Sequence, residues 1–249
     1  MSTDQKLIVL LGPTASGKTA LAVELACALD GEIISADSRQ IYRRLDIGTG
    51  KDLKEYGFIP YHLLDSHEIG EAFSVAHFQK AAFDAINDVF ARGKQPILCG
   101  GTGLYIESLL ANYQFSHVPH FLSEPLDIQF KYTVFGLNPS TEKRREKIST
   151  RFQARLKEGM LEEVQQLLFE GVHPEELRWM GLEYKWIVNY IEGVITKEEF
   201  EKGLETAIHQ FAKRQMTYFR KMERARIEIN WIPDALDFQA KRDYILNFI

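Results

Sequence analysis

The run Lys6-Leu7-Ile8-Val9-Leu10-Leu11 reads as a buried strand, and Thr19-Ala20-Leu21-Ala22-Val23-Glu24-Leu25 reads as the start of a helix. Between them lies Gly12-Pro13-Thr14-Ala15-Ser16-Gly17-Lys18-Thr19, which carries Gly-x-x-x-x-Gly-Lys-Thr in register. Beyond an ordinary strand–turn–helix connection, phosphate chemistry explains that spacing. Glycines let the backbone curl so that several N–H groups converge, and the helix N-terminus adds a positive partial charge. Lys18 contributes a full cation, and the Thr19 hydroxyl is placed to hold a magnesium ion that bridges phosphate oxygens. The whole octapeptide is therefore a candidate cradle for a di- or triphosphate. It does not say which group is transferred.

The 249 residues are 45% hydrophobic and 26% charged, which suits a folded α/β protein with a large core. No apolar run reaches membrane-spanning length, and the polar start Ser2-Thr3-Asp4-Gln5 is unlike a signal peptide. Cys27 and Cys99 have neither metal spacing nor a disulfide framework, so both are expected as buried thiols in a reducing cytoplasm. A net charge of −5 argues against a general nucleic-acid binder but leaves room for a locally basic groove. The predicted fold is a P-loop NTPase-like, mostly parallel sheet flanked by helices. Residues 1–137 form the α/β core, 138–226 a helical region, and 227–249 a strand and helix returning to the core.

Further along, the first helix should end at Asp30-Gly31 with glycine as a left-handed cap, and strand Glu32–Ala36 should deliver Asp37-Ser38 beside the phosphate loop, where Asp37 fits either a ligand contact or a turn or helix cap. The loop Asp46-Ile47-Gly48-Thr49-Gly50-Lys51 fits either a flap or a plain connector. Asp65, ending a short apolar segment, fits either a structural role or a water-mediated hold on magnesium. Ser74 caps a helix running to Arg92. Strand Gln95–Cys99 then enters a second glycine turn, Gly100-Gly101-Thr102-Gly103. Ala111–Lys131 reads as an irregular crossing. A strand at Tyr132–Leu137 leads to a helix begun by Asn138-Pro139, which carries Lys143, Arg144, Arg145, Lys147, Arg151, Arg155 and Lys157. These charges suit a solvated face, or a contact with RNA or a diphosphate. Helices at Met160–Glu170 and Leu182–Glu192 follow. A long helix opens at the capping box Thr196-x-x-Glu199, with Phe200, Leu204, Ile208, Phe211, Phe219 and Met222 as its apolar stripe. Lys213, Arg214, Gln215, Thr217 and Arg220 fall on its other side. A strand at Ile227–Trp231 and a terminal helix close the chain.

Taken in order, these stretches resemble one family. The phosphate loop, Ile34-Ser35-Ala36-Asp37-Ser38-Arg39-Gln40-Ile41-Tyr42, Asp46-Ile47-Gly48-Thr49, His62-Leu63-Leu64-Asp65, Gly100–Tyr105 and Ala212-Lys213-Arg214-Gln215-Met216-Thr217 with Arg220 are similar to successive motifs of the tRNA dimethylallyltransferases. The chain looks like a compact form. The long helical insertion usual after the second glycine turn is replaced by Ala111–Lys131, and the usual Thr-Arg pair before Ala-Lys-Arg-Gln is Ile208-His209.

The resemblance implies transfer of a dimethylallyl group from its diphosphate to N6 of adenosine 37 in tRNA. Magnesium would be the cofactor, the anticodon stem-loop the partner, and a cytoplasmic monomer the working form. It further implies that Gly12 to Thr19 hold the diphosphate, with Lys18, a magnesium on Thr19 and Arg220 stabilising it as it leaves. Asp37 would take the N6 proton. Ser38, Arg39, Gln40, Thr102, Lys213, Arg214 and Gln215 would meet the acceptor RNA, whose adenine must be extruded to be enclosed. A transferase acting on free AMP, ADP or ATP, a phosphate-loop kinase, and an inactive RNA-binding paralogue are the competing readings.

Overall fold

The computed structural model describes residues 5–249; Ser2, Thr3 and Asp4 lie outside the described residues. The first half alternates strand and helix: β1 (Lys6–Leu11), α1 (Lys18–Leu29), β2 (Gly31–Ala36), β3 (Tyr61–His62), α2 (Val75–Ala91), β4 (Gln95–Gly100), α3 (Gly103–Leu110), the single turn α4 (His120–Ser123) and β5 (Lys131–Leu137). With β6 (Asn230–Ile232) these strands form one parallel sheet in the order β3-β2-β4-β1-β5-β6. β1 is central, so both of its faces are covered, which explains its unbroken apolar run. Leu7, Val9 and Leu11 face a core shared with Phe78 and Ile86 of α2. Ile8 and Leu10 face Leu21 and Leu25 of α1 and, from α10 (Phe238–Leu246), Ile245.

The second half is helical: α5 (Thr141–Glu158), α6 (Met160–Phe169), α7 (Pro174–Met180), α8 (Leu182–Ile191) and α9 (Lys197–Arg224). These helices build a further core around Phe152, Val164, Tyr184, Ile187, Phe200 and Leu204, joined by Ile41, Tyr42 and Leu45 from the segment after β2. α9 belongs to both layers. Its N-terminal half packs Phe200, Leu204 and Ile208 into the helical core, and Met216, Phe219 and Met222 pack on the sheet. At 28 residues it is about 42 Å long, enough to span the molecule. Thr196 and Glu199 close its start as a capping box, with Glu199 N–H donating to Thr196 Oγ1 at 3.2 Å.

Several local expectations are corrected. Asp30, not Gly31, takes the left-handed cap (φ 49°); Gly31 begins β2, where a Cβ would sit 2.7 Å from the Gln95 carbonyl oxygen. The helix expected from Asn138-Pro139 begins at Thr141, capped by Ser140 Oγ accepting from Lys143 N–H at 3.2 Å. The last strand is Asn230–Ile232, because Ile227 and Ile229 turn into the core before pairing begins. Cys27 is exposed on the outer face of α1, whereas Cys99 is buried. α7, between α6 and α8, is an additional helix beyond those expected. On α9 the expected stripe is buried at Phe200, Leu204, Ile208, Phe219 and Met222, whereas Phe211 is 40% exposed and Gln215 joins the buried face.

The Asp46–Gly50 loop is an anchored connector. Glu163 of α6 accepts from the N–H groups of Asp46 (2.9 Å), Ile47 (2.7 Å) and Gly48 (3.1 Å), and from the buried Tyr184 hydroxyl (2.8 Å). Removing that acceptor strands several donors at once. Glu163→Ala is expected to lower unfolding free energy in urea by about 3 kcal/mol, with Glu163→Gln recovering part of it; a loss below about 1 kcal/mol would contradict this role. The buried carboxylate of Glu32 gives a pH signature. Arg92 holds Glu32 below the usual carboxylate range against the opposing pull of burial, and His62 adds to the lowering. A depressed folded-state pKa stabilises fully above the unfolded value of about 4.3, and the gain is lost as pH falls through the folded value. Glu32→Gln should therefore flatten the acid limb of a stability–pH curve.

Candidate active site

The order in which the chain adds strands reverses at β1. The chain leaves it for β2 and β4 on one side and returns to β5 on the other, and ligands of such sheets sit at the strand C-termini beside that point. Here the phosphate loop after β1, Asp37-Ser38 after β2 and the glycine turn after β4 converge on a cavity of about 410 Å³. Gly17 adopts φ 85°, a left-handed turn that lets α1 start at Lys18 with no side chain capping its first N–H groups. Ser16 Oγ is buried without a hydrogen-bond partner among the described residues. Thr14, Lys18 and Thr19 line the cavity itself.

The cavity is rich in cations. Arg151 and Arg155 of α5 enter it beside Lys18, and Arg151 Nη2 donates to the Gly50 carbonyl at 3.1 Å. Burial pulls Lys18 below its ordinary value; Cys99 and Asp37 oppose this, while the two arginines reinforce it. Burial likewise brings Arg155 down to about 10, with Arg151 adding to the effect. Glu183, on the cavity wall, is pushed up by burial. Crowded, dehydrated cations of this kind are complementary to a compact, highly charged anion.

The opposite wall holds the acceptor candidates. Asp37 Oδ1 accepts from Arg39 N–H at 3.0 Å, Ser38 N–H donates to Thr102 Oγ1 at 3.1 Å, and Thr102 N–H donates to the Ala36 carbonyl at 3.1 Å. Arg39 and Gln40 also line the cavity. Gln215 ties the two walls together: its Oε1 accepts from Thr14 N–H at 2.8 Å, and its Nε2 donates to the Gly101 carbonyl at 3.0 Å. The second glycine turn is shaped by this helix. A Cβ on Gly101 would lie 2.5 Å from Gln215 Nε2, and one on Gly103 would lie 2.4 Å from the Tyr218 ring.

Not every expected residue is in this cavity. Lys213 and Arg220 line a separate groove with Arg144, Arg145 and His209, and Arg214 is exposed over the Phe211 ring, 5.9 Å from its centroid. The helical period decides this. Ile208, Ala212, Gln215 and Phe219 turn inward, which carries Lys213, Thr217 and Arg220 to the outer flank. The place expected for Arg220 beside Lys18 is taken by Arg151 and Arg155. Their signal is present in the sequence as the inward stripe Ile148, Arg151, Phe152, Arg155 on an otherwise polar helix. Asp65 is structural: it pairs with Lys51, whose buried Nζ also donates to the Tyr42 carbonyl at 2.7 Å and pairs with Asp46 at 2.7 Å.

Among the described residues, no three His, Cys, Asp or Glu side chains cluster as metal ligands. The Thr19 hydroxyl in the cavity nevertheless suits magnesium, which takes few protein ligands and fills its shell with phosphate oxygens and water.

Comparison with known proteins agrees with this architecture. The IPP transferase family model matches residues 40–127 and 116–222, and the isopentenyl transferase model matches 5–62. The chain is 43% identical to tRNA dimethylallyltransferase 1 of Parabacteroides distasonis, over 95% of both chains. It is 40% identical to tRNA dimethylallyltransferase 2 of Bacteroides fragilis, over 97% of both. The first of these alignments runs to 291 positions, more than the 249 residues present here, so that relative has segments without a counterpart in this chain. The two IPP transferase matches overlap at 116–127, within the irregular crossing. In three dimensions it superposes on the tRNA delta(2)-isopentenylpyrophosphate transferase of Staphylococcus epidermidis with a TM-score of 0.86 at 30% identity, covering 98% of each chain. The Bacillus halodurans tRNA isopentenylpyrophosphate transferase gives 0.87 at 28%, covering 98% of this chain and 95% of that one. By sequence and by structure alike, the chain belongs to the IPP transferase family, that of the tRNA dimethylallyltransferases.

Proposed function

We propose that the chain transfers the dimethylallyl group of dimethylallyl diphosphate to N6 of adenosine 37 in tRNA at the cavity between the two glycine turns, releasing diphosphate. The observation that carries this reading is that Asp37 and Lys18 line one cavity, so an acceptor amine and an anionic leaving group can meet there. The N6 lone pair attacks C1 of the allyl group as the bond from C1 to the diphosphate oxygen breaks. The proton left on nitrogen passes to the Asp37 carboxylate. Lys18, Arg151, Arg155 and the N–H groups at the start of α1 receive the charge that builds on the departing diphosphate.

A magnesium ion on Thr19 would neutralise part of that charge and orient the phosphates. Ser38 and Thr102, hydrogen-bonded to each other, form the floor against which the adenine is oriented. Arg39 and Gln40 lie where the flanking RNA would pass. The roles of Lys213 and Arg220 shift accordingly: on the outer groove, with Arg144 and Arg145, they suit RNA phosphates better than the leaving group. No helix among the described residues is long and apolar enough to cross a membrane.

The acceptor is tested by incubating the protein with dimethylallyl diphosphate, magnesium and either unmodified tRNA or AMP, followed by mass analysis of nucleosides. N6-alkyladenosine in tRNA and not in AMP is expected; the reverse would overturn the acceptor assignment. Asp37→Asn should reduce transfer by at least about a hundredfold while dimethylallyl diphosphate binding stays within about twofold. A parallel fall in both would move Asp37 to the diphosphate half of the site. Lys18→Met should weaken diphosphate binding at least about tenfold. In the unaltered protein, affinity should fall with rising pH below the usual lysine range, because the anion binds the protonated amine and burial has lowered its pKa. An affinity flat up to the ordinary lysine value would contradict this.

A further inference from the structure

We propose that Trp179 is a stacking platform for a base adjoining the acceptor adenosine, held at the cavity mouth to replace the stacking lost when that adenosine is extruded. This rests on the RNA acceptor assigned above. Trp179 is 78% exposed, yet it lines the rim of the cavity that contains Asp37 and Thr102. Its helix explains the orientation: α7 buries Leu177 and Met180, which turns Trp179, one of the two residues between them, outward. A large indole left in water is costly unless it meets a partner, and the faces of nucleobases are the sequence-tolerant partner for it.

The platform is rigid. Arg178 is committed to holding α7 in place: its Nε donates to Asn189 Oδ1 at 3.1 Å, and it pairs with Glu175 at 2.5 Å and with Glu192. Arg39 Nη1 donates to the Trp179 carbonyl at 3.1 Å, so the segment carrying Asp37 and Ser38 is tied to the residue that presents the indole. Lys185, exposed on the same rim, supplies positive charge for an adjoining phosphate. A cavity of about 410 Å³ admits a single nucleoside with its allyl donor, which keeps the neighbouring bases outside at this level.

An anticodon stem-loop RNA carrying 2-aminopurine next to the acceptor adenosine tests this. With the unaltered protein, alkylation of the stem-loop and quenching of 2-aminopurine on binding are expected. Trp179→Ala should abolish the quench and raise KM for the stem-loop about tenfold, while kcat and KM for dimethylallyl diphosphate stay within about twofold; Trp179→Phe should restore much of both. Alkylation by the unaltered protein, together with an unchanged quench and KM in Trp179→Ala, would overturn the platform and leave the acceptor assignment standing. A fall in kcat or donor affinity equal to the rise in stem-loop KM would overturn it too, by making Trp179 a general support of the site. Failure of the unaltered protein to alkylate the stem-loop would overturn the acceptor assignment and the platform with it.

Discussion

One buried amide holds the two halves of the site at a fixed distance. Gln215 accepts from the first glycine loop at Thr14 and donates to the second at Gly101. Both bonds are made from a helix anchored at one end in the helical core and at the other on the sheet. A buried side-chain amide is costly unless both its donor and its acceptor are used. That condition is met only when the two turns and α9 keep this spacing, so the hydrogen bonds act as a gauge for the cavity. The glycines of the second turn follow from the same constraint, since a side chain at Gly101 or Gly103 would strike α9.

The cations act in the opposite direction. Lys18, Arg151 and Arg155 repel one another in a partly dehydrated space, and the shifts of Lys18 and Arg155 report that repulsion as well as their burial. Packing elsewhere must therefore keep them together. Ile148 and Phe152 bury the inner stripe of α5, and Arg151 is fixed on the Gly50 carbonyl of a loop that Glu163 holds from α6. A chain that tolerates such crowding is built for an anion that relieves it.

The alternation of strand and helix was legible because β1, β2 and β4 are buried on both faces and read as apolar runs. The positions of the first glycine loop and of Asp37 at the ends of β1 and β2 are legible because ligand cavities of such sheets lie at strand C-termini. Helix-facing questions were harder. Gln215 looked like one more polar residue among Lys213, Arg214 and Thr217, and only its phase with Ile208, Ala212 and Phe219 reveals it as interior. Arg151 and Arg155 were hidden among seven basic residues of one helix, although they share a stripe with Ile148 and Phe152. Motif order alone points to Arg220, and it carries no information about the side of a helix. α7 is short, and its role at the rim depends on contacts with α8 that no local pattern encodes.

If Gln215 sets the spacing of the site, its removal should damage ligand binding more than folding, because the rest of α9 keeps its apolar contacts. Calorimetric titration of inorganic diphosphate into Gln215→Ala, with transfer to tRNA assayed on the same sample, measures this directly. The account predicts a folded protein whose diphosphate affinity falls about tenfold and whose transfer falls further, since both turns have lost their common restraint. Unaltered affinity and transfer in Gln215→Ala would contradict it.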